Sequence, residues 1–322
     1  ETSRVNVLFF GTPNWAAVAL RALAGSAHRV TGVVTSPDAA VGRSRTPQAT
    51  AVKQAAEALN LGPILQPPSL RPPAVRSEIL ARPAEIFVVV AYGRMLPGQL
   101  LDAPQFGAVN LHFSLLPRHR GASPVQHTIL CGDPIAGVCT IQMERGLDTG
   151  PVLLRREIAV DRRETSSKLG ARLAELGAEL LVDTLGRLQR QDVHAMSQDE
   201  TRASQAPLLR PDDGFVHWTE SAQQIDRRVR AFDPWPPVIC RGPKGVLRLV
   251  AVEPMDGVAS ADVEPGTVLA RTGPSVTVAA GGRSVLSLHR VLPAGGREID
   301  AAAALAGGTL ALGVVLGDGS RP

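Results

Sequence analysis

Three polar side chains of complementary chemistry lie within residues 110–150: Asn110, His112 and Asp148. An amide, an imidazole and a carboxylate together suffice to move an acyl group between two nitrogens. The amide can donate to the oxygen that becomes negative in a tetrahedral intermediate, where one donor is worth roughly 2.7–4 kcal/mol. An imidazole can take or relay a proton near neutral pH, and a carboxylate beside it fixes its tautomer. Asn110 and His112 are two residues apart, so on an extended strand they share a face. Taken singly, each of the three has an ordinary structural reading; the combination at a strand end favours chemistry. Other chemistries find less support in the chain. The remaining histidines are scattered and Cys131, Cys139 and Cys240 lack ligand spacing, so no metal is expected. Ser114 stands outside any GxSxG elbow.

The surrounding pattern indicates how such groups would be positioned. Residues 5–10 (VNVLFF) form an apolar strand, followed by Gly11-Thr12-Pro13 and a helical pattern over 14–23, the opening of an open α/β sheet. GxGxxG is absent and no acidic residue closes the second strand at 30–35, which argues against a dinucleotide site. Residues 86–91 (IFVVVA) are a continuous run of the kind buried on both faces of a parallel sheet, ending at Tyr92-Gly93. A strand over 107–111 follows, so the 110–150 stretch starts at a strand's carboxyl end, where open α/β sheets hold ligands. A further strand at 137–144 can return the chain beside it. Residues 38–51 read as a long surface loop, either solvated or phosphate-contacting through Arg43 and Arg45.

Leucines 169, 173, 176, 180 and 188 recur at helical spacing within 165–189, and the polar stretch 190–211 resembles a linker. A helix over 221–232 carries Arg227, Arg228 and Arg230, which suit a solvated face or a nucleic-acid patch. Short strands at 247–252, 266–270, 275–279 and 284–291 suggest a small barrel or sandwich.

At 322 residues the chain exceeds what one core usually serves, so two domains are expected. Its net charge of +4 is carried almost wholly by arginine, and the part beyond residue 207 is neutral. Net charge therefore says little about partners. An odd number of cysteines without a CxxC pair fits a reduced compartment. No apolar run reaches the ~18 residues of a membrane span, and the signal-peptide pattern is missing. A soluble cytoplasmic protein without membrane association is expected.

The central stretch resembles the signature of the folate-dependent formyltransferases, with Asn-x-His at Asn110–His112, SLLP at Ser114–Pro117, Arg120-Gly121, and LDTG at Leu147–Gly150. Residues 9–13, 88–93, 174–177, 198–201 and 225–236 are similar to the branch of that family that acts on a charged tRNA. The resemblance implies a Rossmann-like, mostly parallel sheet domain over 1–190, a linker over 191–209, and a smaller OB-like β-barrel over 210–322 that helps bind tRNA. It implies a monomer that passes the formyl group of 10-formyltetrahydrofolate to the α-amino group of initiator methionyl-tRNA, with no metal. By the same resemblance Asn110, His112 and Asp148 are catalytic. Ser114, Leu115, Leu116 and Pro117 bind folate, with Tyr92 and Gly93 lining the pteridine pocket, and Arg43 and Arg45 face the tRNA. Phe113 and His119 depart from the family pattern, which has glycine and a large aromatic there. A nucleotide-linked sugar amine or water is the alternative acceptor, and an RNA-binding module with an idle catalytic half is the alternative class.

Overall fold

A computed structural model describes residues 4–40 and 46–319. The chain divides into two compact units, residues 1–125, 134–160 and 168–207 in the first, and residues 126–133, 161–167 and 208–322 in the second.

The first unit is built on a seven-stranded sheet. In chain order its main elements are β1 (Asn6–Gly11), α1 (Asn14–Ala24), β2 (Arg29–Val34), α2 (Ala51–Ala58), β3 (Ile64–Leu65), α3 (Pro73–Leu80), β4 (Ile86–Val90), β5 (Ala108–His112), β6 (Ile135–Gln142), β7 (Val152–Ala159) and α5 (Ser166–Gln189); α4 (Pro124–Cys131), between β5 and β6 in the chain, belongs mostly to the second unit. Their order across the sheet is β7-β6-β5-β4-β1-β2-β3. The five strands from β3 to β5 are parallel, and β6 and β7 run antiparallel at one edge. Every residue of β4 is buried, as its unbroken β-branched and aromatic composition requires of a strand covered on both faces. The order reverses between β1 and β4, which opens a crevice outside their carboxyl ends. β5 lies one strand further on and ends at His112, opposite Cys139 of β6.

Helix α5 holds β5 in place. Its buried seam is Leu169, Leu173, Ala174, Ala178, Leu180, Leu181 and Leu185, each leucine contributing roughly 1.5–3 kcal/mol on burial. Gly177 of this helix lies against the side chain of Leu111, the residue between Asn110 and His112. The buried hydroxyls of Thr140 and Thr184, 2.8 Å apart, tie β6 to the same helix.

The second unit contains α6 (Ala222–Ala231), capped by Ser221 and Gln224 in a reciprocal capping box. Five antiparallel strands follow, β8 (Ile239–Gly242), β9 (Gly245–Met255), β10 (Val268–Thr272), β11 (Ser275–Ala279) and β12 (Val285–Pro293), in the order β8-β9-β12-β11-β10. Leu247, Leu249, Val276, Val278, Leu286 and Leu288 fill the interior. Segment 315–317 bridges Thr267 next to β10 and Arg241 in β8. Both sheet edges thus meet one short segment, an arrangement compatible with a small barrel.

The three arginines of α6 are structural. Arg228 donates to the carbonyls of Asp213 and Phe215 at 2.9 Å and pairs with Glu220. Arg230 holds the buried Asp226 at 2.9 Å together with Arg163 at 2.6 Å. Arg227 lies across Gly132 and reaches the Cys131 carbonyl. Each of the three guanidinium groups thus makes a contact within the unit.

Candidate active site

Asn110 and His112 leave the same face of β5 at its carboxyl end, as their spacing of two demands. Asp148 comes from the turn between β6 and β7 and has a left-handed backbone, with φ +54°, a conformation aspartate tolerates better than most residues. Gly150 makes that turn possible, because a β-carbon there would fall on the carbonyl oxygen of Gln142. A tight return from antiparallel β6 thus brings residue 148 back to residues 110 and 112.

The Asp148 carboxylate is met from three directions. Its Oδ1 accepts from Asn110 Nδ2 at 3.3 Å, and its Oδ2 accepts from the Gly121 backbone N–H at 2.8 Å. His112 Nδ1 stands 3.6 Å from Oδ2, close enough for an ion pair when the ring is charged. The other ring nitrogen, Nε2, lies 3.0 Å from the His119 carbonyl oxygen. A carbonyl only accepts, so Nε2 carries a hydrogen, and Nδ1 is the nitrogen that faces Asp148. His112 is 5% exposed and Asp148 11%; with little water present these interactions are stronger than on an open surface. One amide N–H of Asn110 is directed to Asp148, and the second remains for a developing oxyanion.

Behind this cluster lies a layer that spacing alone does not reveal. Gln198 Nε2 donates to the carbonyls of Asp148 at 2.8 Å and Gly150 at 2.7 Å. Its Oε1 accepts from Arg120 Nε at 3.1 Å and Nη2 at 2.8 Å. Arg120 is buried and also grips Glu200 through two nitrogens at 2.8 and 2.7 Å. Glu200 is held below the usual carboxylate range chiefly by the hydrogen bond from Arg120. Residues 120–121 pair in parallel with 205–206, and the His119 N–H donates to Ser204 Oγ at 2.9 Å. Met196 bridges to Val152 of β7. Residues 196–206, expected to be part of a linker, are therefore built into the wall of the site.

Other candidate residues are committed differently. Ser114 is buried and its hydroxyl donates to the Arg118 carbonyl at 2.7 Å. Leu116 packs with Cys139, Ile141 and Val152, Leu115 lies against Gly137, and the Pro117 carbonyl accepts from the Ser204 N–H at 3.2 Å. These four residues shape the turn between β5 and residue 120, with Ser114 and Leu116 buried and Leu115 half-buried. Tyr92 is buried edge-on to Phe10, with ring centroids 5.6 Å apart, and its phenol is pushed up mainly by burial. Gly93, beside it, is exposed with φ +79°. Phe113 packs on Trp15 at 5.5 Å, and His119 serves His112 through its main chain. Arg43 and Arg45 lie outside the described residues. At the base of their loop, Asp38 pairs with Lys53 at 2.6 Å and accepts from Gln66 at 2.6 Å, and both hold its carboxyl below the usual range. Among the described residues, no group of three or more His, Cys, Asp or Glu side chains is gathered as a metal site.

Comparison with known proteins places the arrangement in context. Residues 3–185 match the family described as formyl transferase, and residues 208–308 match its C-terminal domain. The chain is 40% identical to the methionyl-tRNA formyltransferase of Nitrosospira multiformis over 95% of this chain and 97% of the relative. It is 36% identical to the enzyme of the same name from Desulfotalea psychrophila over 98% and 97%. Among solved structures it is similar in fold to an N-formyltransferase from Helicobacter canadensis in complex with folinic acid and dTDP-3-aminofucose, with TM-score 0.62, 12% identity, and coverage of 88% of this chain and 98% of that one. HypX from Aquifex aeolicus in complex with tetrahydrofolic acid gives TM-score 0.62 at 16% identity, covering 94% of this chain and 47% of that one.

Proposed function

Since the chain belongs to the methionyl-tRNA formyltransferase family, we propose that Asn110, His112 and Asp148 are the groups with which it carries out formyl transfer. The enzyme moves the formyl group of 10-formyltetrahydrofolate to the α-amino group of initiator methionyl-tRNA, in translation initiation. The observation that carries the assignment is the convergence of the three side chains on one another, from β5 and the turn before β7, within 3.3–3.6 Å.

In this reading the neutral amine attacks the formyl carbon. Negative charge builds on the formyl oxygen and is met by the second N–H of Asn110 and by the positive charge of protonated His112. As the intermediate collapses, the bond from carbon to the folate N10 breaks, the new amide nitrogen loses a proton, and N10 gains one. Asp148, fixed by the Gly121 N–H, orients His112 and assists that transfer. Folate lies at the carboxyl end of the sheet, bordered by the 114–117 turn and by Tyr92 and Gly93. Ser114 and Leu116 hold the turn from within, so contact with folate there is through main chain, Leu115 and Pro117. The domain over 210–322 and the loop bearing Arg43 and Arg45 engage the tRNA of a cytoplasmic, monomeric enzyme.

The acceptor separates this reading from its rivals. Incubated with 10-formyltetrahydrofolate, the protein is expected to formylate charged initiator tRNA while leaving free methionine and nucleotide-linked amino sugars unmodified. Formylation of an amino sugar in preference to the charged tRNA would overturn it.

A further inference from the structure

A catalytic carboxylate on a turn between two strands needs more than its own hydrogen bonds to stay in place. Residue 148 adopts a left-handed conformation, and the carbonyls on either side of Thr149, those of Asp148 and Gly150, point the same way. Both are gathered by a single side-chain amide, that of Gln198, at 2.8 and 2.7 Å. The amide cannot rotate to present its oxygen instead, because Arg120 holds Oε1 with two N–H groups. Arg120 is in turn fixed by Glu200 through Nη1 and the shared Nη2, and its backbone N–H donates to the Ser204 carbonyl at 2.8 Å. The next residue, Gly121, supplies the N–H that binds Asp148 Oδ2. Main chain and side chain of Asp148 are therefore referenced to one point, the Arg120–Gly121 dipeptide, and Gln198 is the link that carries the main-chain arm.

We propose that Gln198 is a positioning residue for formyl transfer, acting through Asp148 without touching either substrate. With Gln198 in place, the Asp148 carboxylate stays at reach of His112 Nδ1 and Asn110 Nδ2. Without its two donors the carbonyls of residues 148 and 150 lose their partners, and the turn relaxes. A displacement of about 1 Å at a reacting constellation can cost up to a hundredfold in rate. The inference rests on the assignment of Asp148 to the catalytic set.

The test uses the full-length enzyme in single-turnover formylation of initiator methionyl-tRNA. Gln198→Met keeps the size of the side chain and removes donors and acceptor; Gln198→Glu keeps an acceptor for Arg120 but sets carboxylate oxygen against the two carbonyls. Both variants are expected to lose at least about tenfold in rate, with half-saturating concentrations of both substrates within threefold of the parent. In an Asp148→Asn background, Gln198→Met is expected to cost less than threefold more, because the group it positions is already gone. An equal loss in both backgrounds, a parent-like rate for Gln198→Met, or a loss confined to substrate affinity would overturn the inference while leaving the catalytic assignment standing. A parent-like Asp148→Asn enzyme would overturn the assignment and the inference with it.

Discussion

Two of the donors around Asp148 are main-chain or ring groups, but Asn110 contributes through an amide with hydrogens to spare. Replacing it by alanine removes the donor to Asp148 Oδ1 and, in the proposed mechanism, the donor to the formyl oxygen at once. Asn110→Ala is expected to lower kcat roughly 10²- to 10³-fold, the usual cost of one oxyanion donor, with KM for the folate changed by less. Steady-state kinetics at saturating charged tRNA check this, and a parent-like thermal melt shows that the loss is not one of folding. The side chains of this cluster were legible in the sequence in combination, because an amide and an imidazole two apart at a strand end, followed by a carboxylate, favour chemistry although each alone has a structural reading. The partners that orient them were not. The His119 carbonyl that fixes the tautomer of His112 and the Gly121 N–H that anchors Asp148 are backbone groups, which every residue carries and no side chain announces. Gln198 has a side chain, but it lies 50 residues beyond Asp148 in a polar stretch without periodicity.

The sheet strands and the long helix follow the periodicities that mark them, and β1, β4 and α5 lie where their apolar runs place them. The structure adds β7 and α4. The alternation of β7 has only one buried end, as suits the outer strand of the sheet. The stretch 190–211 reads as a linker because a two-residue strand and one short turn of 3-10 helix leave no pattern in composition. His28 offers a test of the packing of α5. It is buried just before β2 and its Nε2 lies 3.4 Å from the Val182 carbonyl of that helix. Burial is the main influence on its pKa and lowers it; the contact to Val182 opposes this. The unfolded chain therefore takes up a proton near pH 6.5 that the folded chain refuses, and stability falls as pH drops below that value. His28→Leu is expected to flatten the dependence of urea midpoint on pH between 7 and 5. A slope unchanged from the parent would show that His28 is not buried neutral.

Both units serve one reaction in this account, and its second substrate is a polyanion many times the size of the first. The net charge of +4 comes from the part of the chain before residue 207, and the arginines of α6 are engaged within their own unit. In the proposed reading, contacts with tRNA rest on local clusters such as the loop of Arg43 and Arg45. A few phosphate contacts still release counterions, so kcat/KM for initiator methionyl-tRNA is expected to fall roughly tenfold or more from 50 to 200 mM salt. KM for 10-formyltetrahydrofolate should move by less than threefold over the same range, and parallel titrations of both substrates make the comparison. The family was legible because its motifs fall on residues that the fold brings together; the tRNA surface was less so, because charge balance over a half-chain says nothing of where single arginines point. The most direct test of the account is the single-turnover rate of formyl transfer from 10-formyltetrahydrofolate to initiator methionyl-tRNA by the parent and by His112→Ala. The expected result is a fall of at least about a hundredfold with both substrates still bound; a variant rate within threefold of the parent would contradict the assignment of His112 and, with it, the mechanism built on β5.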